Sequence, residues 1–326
     1  MIMMNNFSKY LNLFFNDYLT MQLNASTNTI LSYKYTFKLL LNFLIKEKYI
    51  NIKNISFKDL NKQNIKDFLN YLEFTKNNSI STRNQRLAAL KSFFQYVGIE
   101  NIEYFNAVQD ILNIRMKKNV IKEMDYFTLN ELEEFFKNIS TDSRKGRRNL
   151  VLLTLLYDSA ARISELINLK IRDIKLDNNP TISLLGKGKK YRNVPIMIKT
   201  KEMLVKYINE NNLTESCYLF ANSKNEKLNV RTIQIIISNY NNTSKNITPH
   251  SFRRSKAIHL LEAGIDIIYI RDLLGHSSVT TTERYSKASV EYKNKMLSKT
   301  YSNTFEENQI TSWNKDKDLL DKLMNL

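Results

Sequence analysis

Apolar residues in the first third of the chain recur three and four positions apart between polar ones, and this spacing is the strongest constraint on the fold. Ile30, Tyr33, Phe37, Leu40 and Leu44 fall on one side of an α-helix, and Leu87, Leu90, Phe94 and Val97 repeat the pattern further along. Apolar stripes of this kind must be covered, so both segments are predicted to be helices packed against other elements. Ser26 or Thr27 stands where a hydroxyl can accept a hydrogen bond from the first turn of the first helix, and Ser81 and Thr82 precede the second stripe. Arg83, Arg86 and Lys91 lie around that second stripe, placed to meet phosphates, with a solvated helix face as the alternative.

From Arg115 to Met124 the pattern lapses into a basic, weakly periodic stretch that reads as a linker. Thr128 followed three residues later by Glu131 forms a capping-box pattern, so a second domain is expected to begin near Asp125. The run from Leu150 to Tyr157 is predicted to be a buried helix and is far too short to span a bilayer. Thr181–Leu185 and Tyr191–Ile196 read as two strands joined by the Gly186-Lys187-Gly188-Lys189-Lys190 turn. A further helix is expected from Ile267 to Leu274, capped by Asp266 and stopped by Gly275. The expected architecture is mainly α with a small antiparallel β-sheet, in two domains, as a length of 326 residues suggests.

Lys and Arg number 49 against 32 Asp and Glu, a net charge of +17 that favours polyanions: DNA, RNA or an acidic membrane surface. Residues 1–118 hold 16 basic and 8 acidic side chains, so the excess is shared by both halves and both can face one polyanion. Cys217 is alone, which excludes an intramolecular disulfide and makes a cytoplasmic location the expectation. Met1-Ile2-Met3-Met4 lacks the charged start and apolar block of a secretion signal, so the whole chain is expected to be mature protein. No metal is expected from three His and one Cys, and the Gly-Lys-Gly turn lacks the spacing of a nucleotide-phosphate loop, so no cofactor is expected.

Four stretches carry the chemistry: Ser159-Ala160-Ala161-Arg162-Ile163-Ser164-Glu165-Leu166, Gly186-Lys187-Gly188, His250-Ser251-Phe252-Arg253, and Leu274-Gly275-His276 with Tyr285 nine residues later. Singly each has an ordinary reading: a surface ion pair, a hairpin, two donors on a helical turn, a core tyrosine. In this order and spacing they resemble the tyrosine site-specific recombinase and phage integrase family, in the layout of the Xer recombinases. The likeness covers nearly the whole chain. It implies a helical, SAM-like core-binding domain over residues 1–114, a linker over 115–124 and a catalytic domain over 125–300. Residues 301–326 form a tail whose Leu319, Leu320, Leu323 and Met324 make a short amphipathic stripe, suited to docking on a neighbouring subunit or folding back. The two domains are expected to close as a clamp on double-stranded DNA carrying a specific site, with four protomers exchanging strands through a Holliday junction.

The resemblance makes Tyr285 the nucleophile that forms a 3′-phosphotyrosine link. Arg162 and Arg253 suit the non-bridging phosphate oxygens, because fixed forked cations stabilise charge that builds up in phosphoryl transfer. His250 is the expected acid/base, Lys187 the donor to the departing 5′-hydroxyl, His276 a phosphate ligand, and Glu165 an orienting acid. Lys189 and Lys190, beside Lys187, join Arg83, Arg86 and Lys91 as candidate DNA contacts. His259 has no motif partner and reads as structural. Ala160 departs from the family, which usually has Gly there, so that helix end is expected to be shaped differently. A type IB topoisomerase or a cleavage-inactive DNA-binding regulator are the alternatives, and Tyr292 is the next candidate nucleophile.

Overall fold

Ser26 caps helix α2 (Thr27–Glu47), its side chain accepting from the Thr29 backbone N–H at 3.2 Å. Ser79 does the same for α4 (Ile80–Glu100) by accepting from Thr82, so this helix starts ahead of Ser81 and Thr82. These elements belong to a computed structural model that describes residues 6–119, 124–186, 188, 190–276 and 278–288. The chain divides into two compact units, residues 1–122 and 123–326. Lys187, Lys189, Tyr292 and the tail stripe at Leu319, Leu320, Leu323 and Met324 lie outside the described residues.

In the first unit α1 (Asn6–Leu13) runs into wider, π-type turns over Phe14–Gln22, and α2, α3 (Lys62–Asn70), α4 and α5 (Phe105–Leu112) follow. Phe37, Leu40 and Leu44 of the first predicted stripe are buried, with Ile30 and Tyr33 packed beside them, and all four residues of the second are buried. Phe93 sits at the centre of an aromatic cluster, edge-on to Phe14 at 5.3 Å and to Phe37 at 5.0 Å. Each such buried aromatic contributes roughly 2–3 kcal/mol by removal from water. Residues 114–119 form neither helix nor strand.

The second unit opens with α6 (Leu129–Lys137), where the Thr128–Glu131 capping box forms in both directions. Then come α7 (Arg144–Asp158), the short α8 (Ile163–Leu166) and a three-stranded antiparallel sheet in the order β1 (Ile174–Lys175), β2 (Thr181–Leu185), β3 (Tyr191–Pro195). Strand β1 was not anticipated, because two residues are too few to show alternation. Ile182 pairs with Val194, and both point into the core with Leu184. Helices α9 (Ile198–Glu210), α10 (Val230–Tyr240), α11 (Pro249–Glu262), α12 (Ile267–Leu274) and α13 (Val279–Ala288) complete the unit. Asp266 caps α12 and Gly275 ends it at φ 61°.

Helix α11 is the axis of this unit, with Phe252, Ala257, Ile258 and Leu261 all buried. Ser255 and His259 of the same helix also face inward and are paired. The Ser255 hydroxyl accepts from the Phe127 N–H at 2.8 Å and donates to the Ser251 carbonyl at 2.9 Å. His259 lies 2.9 Å from the Tyr157 hydroxyl through Nδ1, and its Nε2 donates to the Phe127 carbonyl at 2.8 Å, a structural role. Both residues tie the segment entering α6 to α11. Ser255→Ala leaves the buried Phe127 N–H without its acceptor, so it is expected to lower the unfolding free energy of the second unit by about 1–3 kcal/mol in urea titrations. An unchanged unfolding midpoint would contradict the importance of this tie.

Candidate active site

Helix α7 ends at Asp158, and within four residues the chain reverses to begin α8 at Arg162. Ala160 makes the reversal by adopting φ 48°, the left-handed region that costs a non-glycine residue roughly 1–2 kcal/mol. The Ala160 carbonyl is aimed at Arg253 on α11, whose Nη1 donates to it at 2.8 Å. The Nη2 of Arg253 donates to the carbonyl of Leu274, the last residue of α12. Only 1% of Arg253 is exposed, and its buried Nε has no hydrogen-bond partner among the described residues.

Arg162 sits at the N-terminal boundary of α8 and is the more accessible of the two arginines. Its Nη1 donates to Glu165 Oε1 at 2.9 Å, its backbone N–H to Glu165 Oε2 at 2.8 Å, and its Nη2 reaches the Gly275 carbonyl at 3.5 Å. Glu165 is buried, which alone pushes its carboxyl up; hydrogen bonds from Arg192 and from the Arg162 backbone, with the charge of Arg192, outweigh burial and hold it at about 2. Arg192, from β3, grips the carboxylate with Nη1 on Oε1 and Nη2 on Oε2, both at 2.8 Å.

Beyond Gly275, His276 places Nδ1 3.0 Å from the hydroxyl of buried Thr282 on α13. Its ring stacks on Tyr285 with centroids 6.3 Å apart and planes 19° apart. Tyr285 is 4% exposed and packs with Ala160, Ala257, Ile258, Leu261, Ile270 and Leu274. His250, second residue of α11, keeps a face to solvent, yet the surrounding protein desolvates it, and the guanidiniums of Arg254, Arg253 and Arg162 add to the effect, lowering its pKa to about 4. His276 is also lowered to about 4, by desolvation first and then by Arg253, Arg162, His250 and Arg192. Arg253 is lowered to about 10 by desolvation and then by Arg162, with Tyr285 and Glu165 pulling the other way, so it stays charged at neutral pH.

Arg162, Glu165, His250, Arg253, His276 and Tyr285 thus meet in one place and sense one another's charge. The arrangement can receive an anion: guanidiniums outnumber the carboxylate that holds them, both imidazoles are neutral, and a phenol lies alongside. Lys190 is exposed at the root of the hairpin, where its carbonyl accepts from the Gly186 N–H at 2.9 Å. The first-unit candidates are more engaged than expected. Arg83 is buried against Glu73 at 3.3 Å. Arg86 donates to the Ser32 carbonyl at 3.1 Å and lies over the Tyr35 ring, and the Lys91 ammonium donates to the Leu112 carbonyl. Among the described residues no cluster of His, Cys, Asp or Glu could hold a metal ion, and no helix is long and apolar enough to cross a membrane.

The sequence reading missed Arg192. The signal was its parity with Val194, which puts a charge on the inward face of β3 and demands a buried partner.

A mainly helical unit with a small sheet, carrying two arginines, two neutral imidazoles and a tyrosine at one point, defines a recombinase-like catalytic domain. The chain belongs to the phage integrase family of tyrosine recombinases: residues 125–291 match the phage integrase family and residues 12–101 its N-terminal SAM-like domain. A tyrosine recombinase of Pseudothermotoga lettingae is 32% identical over 276 residues, covering 83% of this chain and 91% of its own. The tyrosine recombinase XerC of Staphylococcus epidermidis is 29% identical over 293 residues, covering 87% and 93%. The crystal structure of the XerH site-specific recombinase bound to palindromic difH substrate, a post-cleavage complex, is similar at a TM-score of 0.67 and 25% identity, covering 84% of this chain and 80% of that one.

The two imidazoles make the fold sensitive to acid. Their pKa falls from 6.5 in the unfolded chain to about 4 when folded, so between these values the unfolded chain binds more protons. The stability they contribute is complete above pH 6.5 and is lost as the pH falls toward about 4. The urea midpoint of the second unit is expected to drop between about pH 7 and about pH 5, and His276→Gln to flatten that drop. A pH-independent wild-type midpoint over this range would contradict the assignment.

Proposed function

We propose that this recombinase cleaves and rejoins double-stranded DNA at a specific site through Tyr285. The observation that carries the reading is the stacking of the Tyr285 ring on His276 beside Arg253, a guanidinium whose buried Nε has no hydrogen-bond partner among the described residues. The Tyr285 Oη attacks the scissile phosphorus, the bond from phosphorus to the 5′-oxygen breaks, and a 3′-phosphotyrosine and a free 5′-hydroxyl result. The broken ester is replaced by another, so the energy is conserved and a 5′-hydroxyl from a second strand reverses the step without ATP.

Arg162 and Arg253 stabilise the charge that accumulates on the non-bridging oxygens. His250, neutral at physiological pH, is able to take the phenol proton, which a protonated ring could not do. Lys187 gives a proton to the leaving 5′-oxygen, and His276 hydrogen-bonds the phosphate. Tyr285 and Arg253 are both buried in this structure, so a phosphate reaches them once α13 shifts, whereas Arg162 and His250 already face solvent. Arg86, Lys91, Lys189 and Lys190 remain the candidate contacts along the duplex. The wider reading, carried by the family resemblance, is that four protomers on two sites exchange strands in pairs through a Holliday junction.

Incubation with a pool of duplexes carrying randomised cores, followed by denaturing capture and sequencing of protein-linked DNA, tests the reading. Wild type is expected to yield adducts with a shared sequence, and Tyr285→Phe to reduce them by at least about a thousandfold. Equal adducts from both proteins would move the nucleophile elsewhere, Tyr292 first. Efficient relaxation of any supercoiled plasmid, with no shared sequence in the adducts, would favour a topoisomerase.

A further inference from the structure

Arg192 touches two segments that the proposed chemistry uses, the turn holding Glu165 and the end of α12. Its guanidinium is locked fork-to-fork on Glu165 beside Arg162, with both bonds at 2.8 Å, a geometry that a lysine cannot reproduce. Its Nε donates to the Leu273 carbonyl at 3.2 Å, near the end of α12. Its stem fills the space over Gly275, where an added Cβ would come within 3.0 Å of Arg192 Cδ. The residue itself stands on β3, five positions after Lys187 in the sequence. Glu165 spends its remaining hydrogen bonds on Arg162.

We propose that Arg192 is a positioning residue for strand cleavage: by gripping both oxygens of Glu165 and bracing the turn before His276, it fixes the direction in which Arg162 presents its guanidinium. The inference rests on the reading of Arg162 as a phosphate ligand. Without Arg192, the buried Glu165 keeps one cationic partner on its own turn. Either the carboxylate draws Arg162 fully onto itself and withdraws N–H groups from the phosphate, or it takes a proton and releases Arg162. The charged groups facing Glu165 are Arg192 from β3 and Arg162 from its own turn, with Arg253 of α11 also acting on it. Burial favours the protonated form, so the second route gains as pH falls once Arg192 is gone.

Single-turnover adduct formation and equilibrium DNA binding, both on a nicked duplex of the sequence recovered from wild-type adducts, test the proposal. Wild type is compared with Arg192→Lys, Arg192→Gln, Glu165→Gln and the Arg192→Gln/Glu165→Gln pair. Arg192→Gln is expected to slow adduct formation by about tenfold or more while DNA affinity stays within about threefold, and Arg192→Lys to recover part of the rate. In the Glu165→Gln background the same Arg192 change is expected to cost less than about threefold, because the clamp has already lost its charge. The deficit of Arg192→Gln against wild type should deepen from about pH 8 to about pH 6. If Arg192→Gln does not fold, Arg192→Lys and the double-amide variant carry the comparison, since neither leaves a buried carboxylate unpaired. Equal losses in both backgrounds at every pH, or a rate within about twofold of wild type, would overturn the proposal. A wild type that forms no adduct at all would instead refute the reading of Tyr285 on which it rests.

Discussion

A single buried guanidinium organises the catalytic unit. Arg253 projects from α11 and donates to the carbonyls of Ala160 and Leu274, which end the segments leading to Arg162 and to His276. The two segments are far apart in sequence, and this side chain joins their ends. The arrangement is costly in isolation. A desolvated cation faces backbone carbonyls instead of a carboxylate, and Ala160 holds a left-handed conformation to supply one of them. Strain and unpaired charge of this kind gather where a fold serves chemistry at the expense of stability.

The electrostatics follow from that choice. Arg162, Arg192, Arg253 and Arg254 all act on the site, and among the described residues Glu165 is the carboxylate that acts on Arg253. Burial first, and then the surplus positive charge, keep both imidazoles neutral at physiological pH. A phosphate entering the site would supply the missing negative charge, relieve the repulsion between the arginines and raise the proton affinity of His250, in keeping with its proposed role as a base. Glu165 shows the opposite logic: burial opposes its charge, and two arginines restore it, making it a fixed anchor instead of a proton carrier.

Much of this was legible in the sequence because it is local. Arg162 and Glu165 lie one turn apart, Asp266 and Gly275 bracket α12 by known cap chemistry, and the alternation in β2 and β3 marks the small sheet. What stayed hidden depends on partners distant in sequence or on backbone torsions. The partner of Arg192 is 27 residues away, and that of Arg83 depends on how Glu73 packs against α4. At Ala160 the sequence showed only an alanine in place of glycine, and its left-handed turn, with the carbonyl held by Arg253, is a backbone torsion that no side-chain pattern reveals.

The action of these cations on the charge of one phosphate is tested most directly by replacing a non-bridging oxygen of the scissile phosphate with a methyl group, which removes its charge. Cleavage of the charged and uncharged linkages is measured for wild type and Arg162→Ala. The deficit of Arg162→Ala is expected to shrink by about tenfold or more on the uncharged linkage, since the guanidinium no longer has a charge to stabilise. An undiminished deficit on both linkages would contradict a phosphate-directed role for Arg162 and, with it, the convergence of the site on a single phosphate.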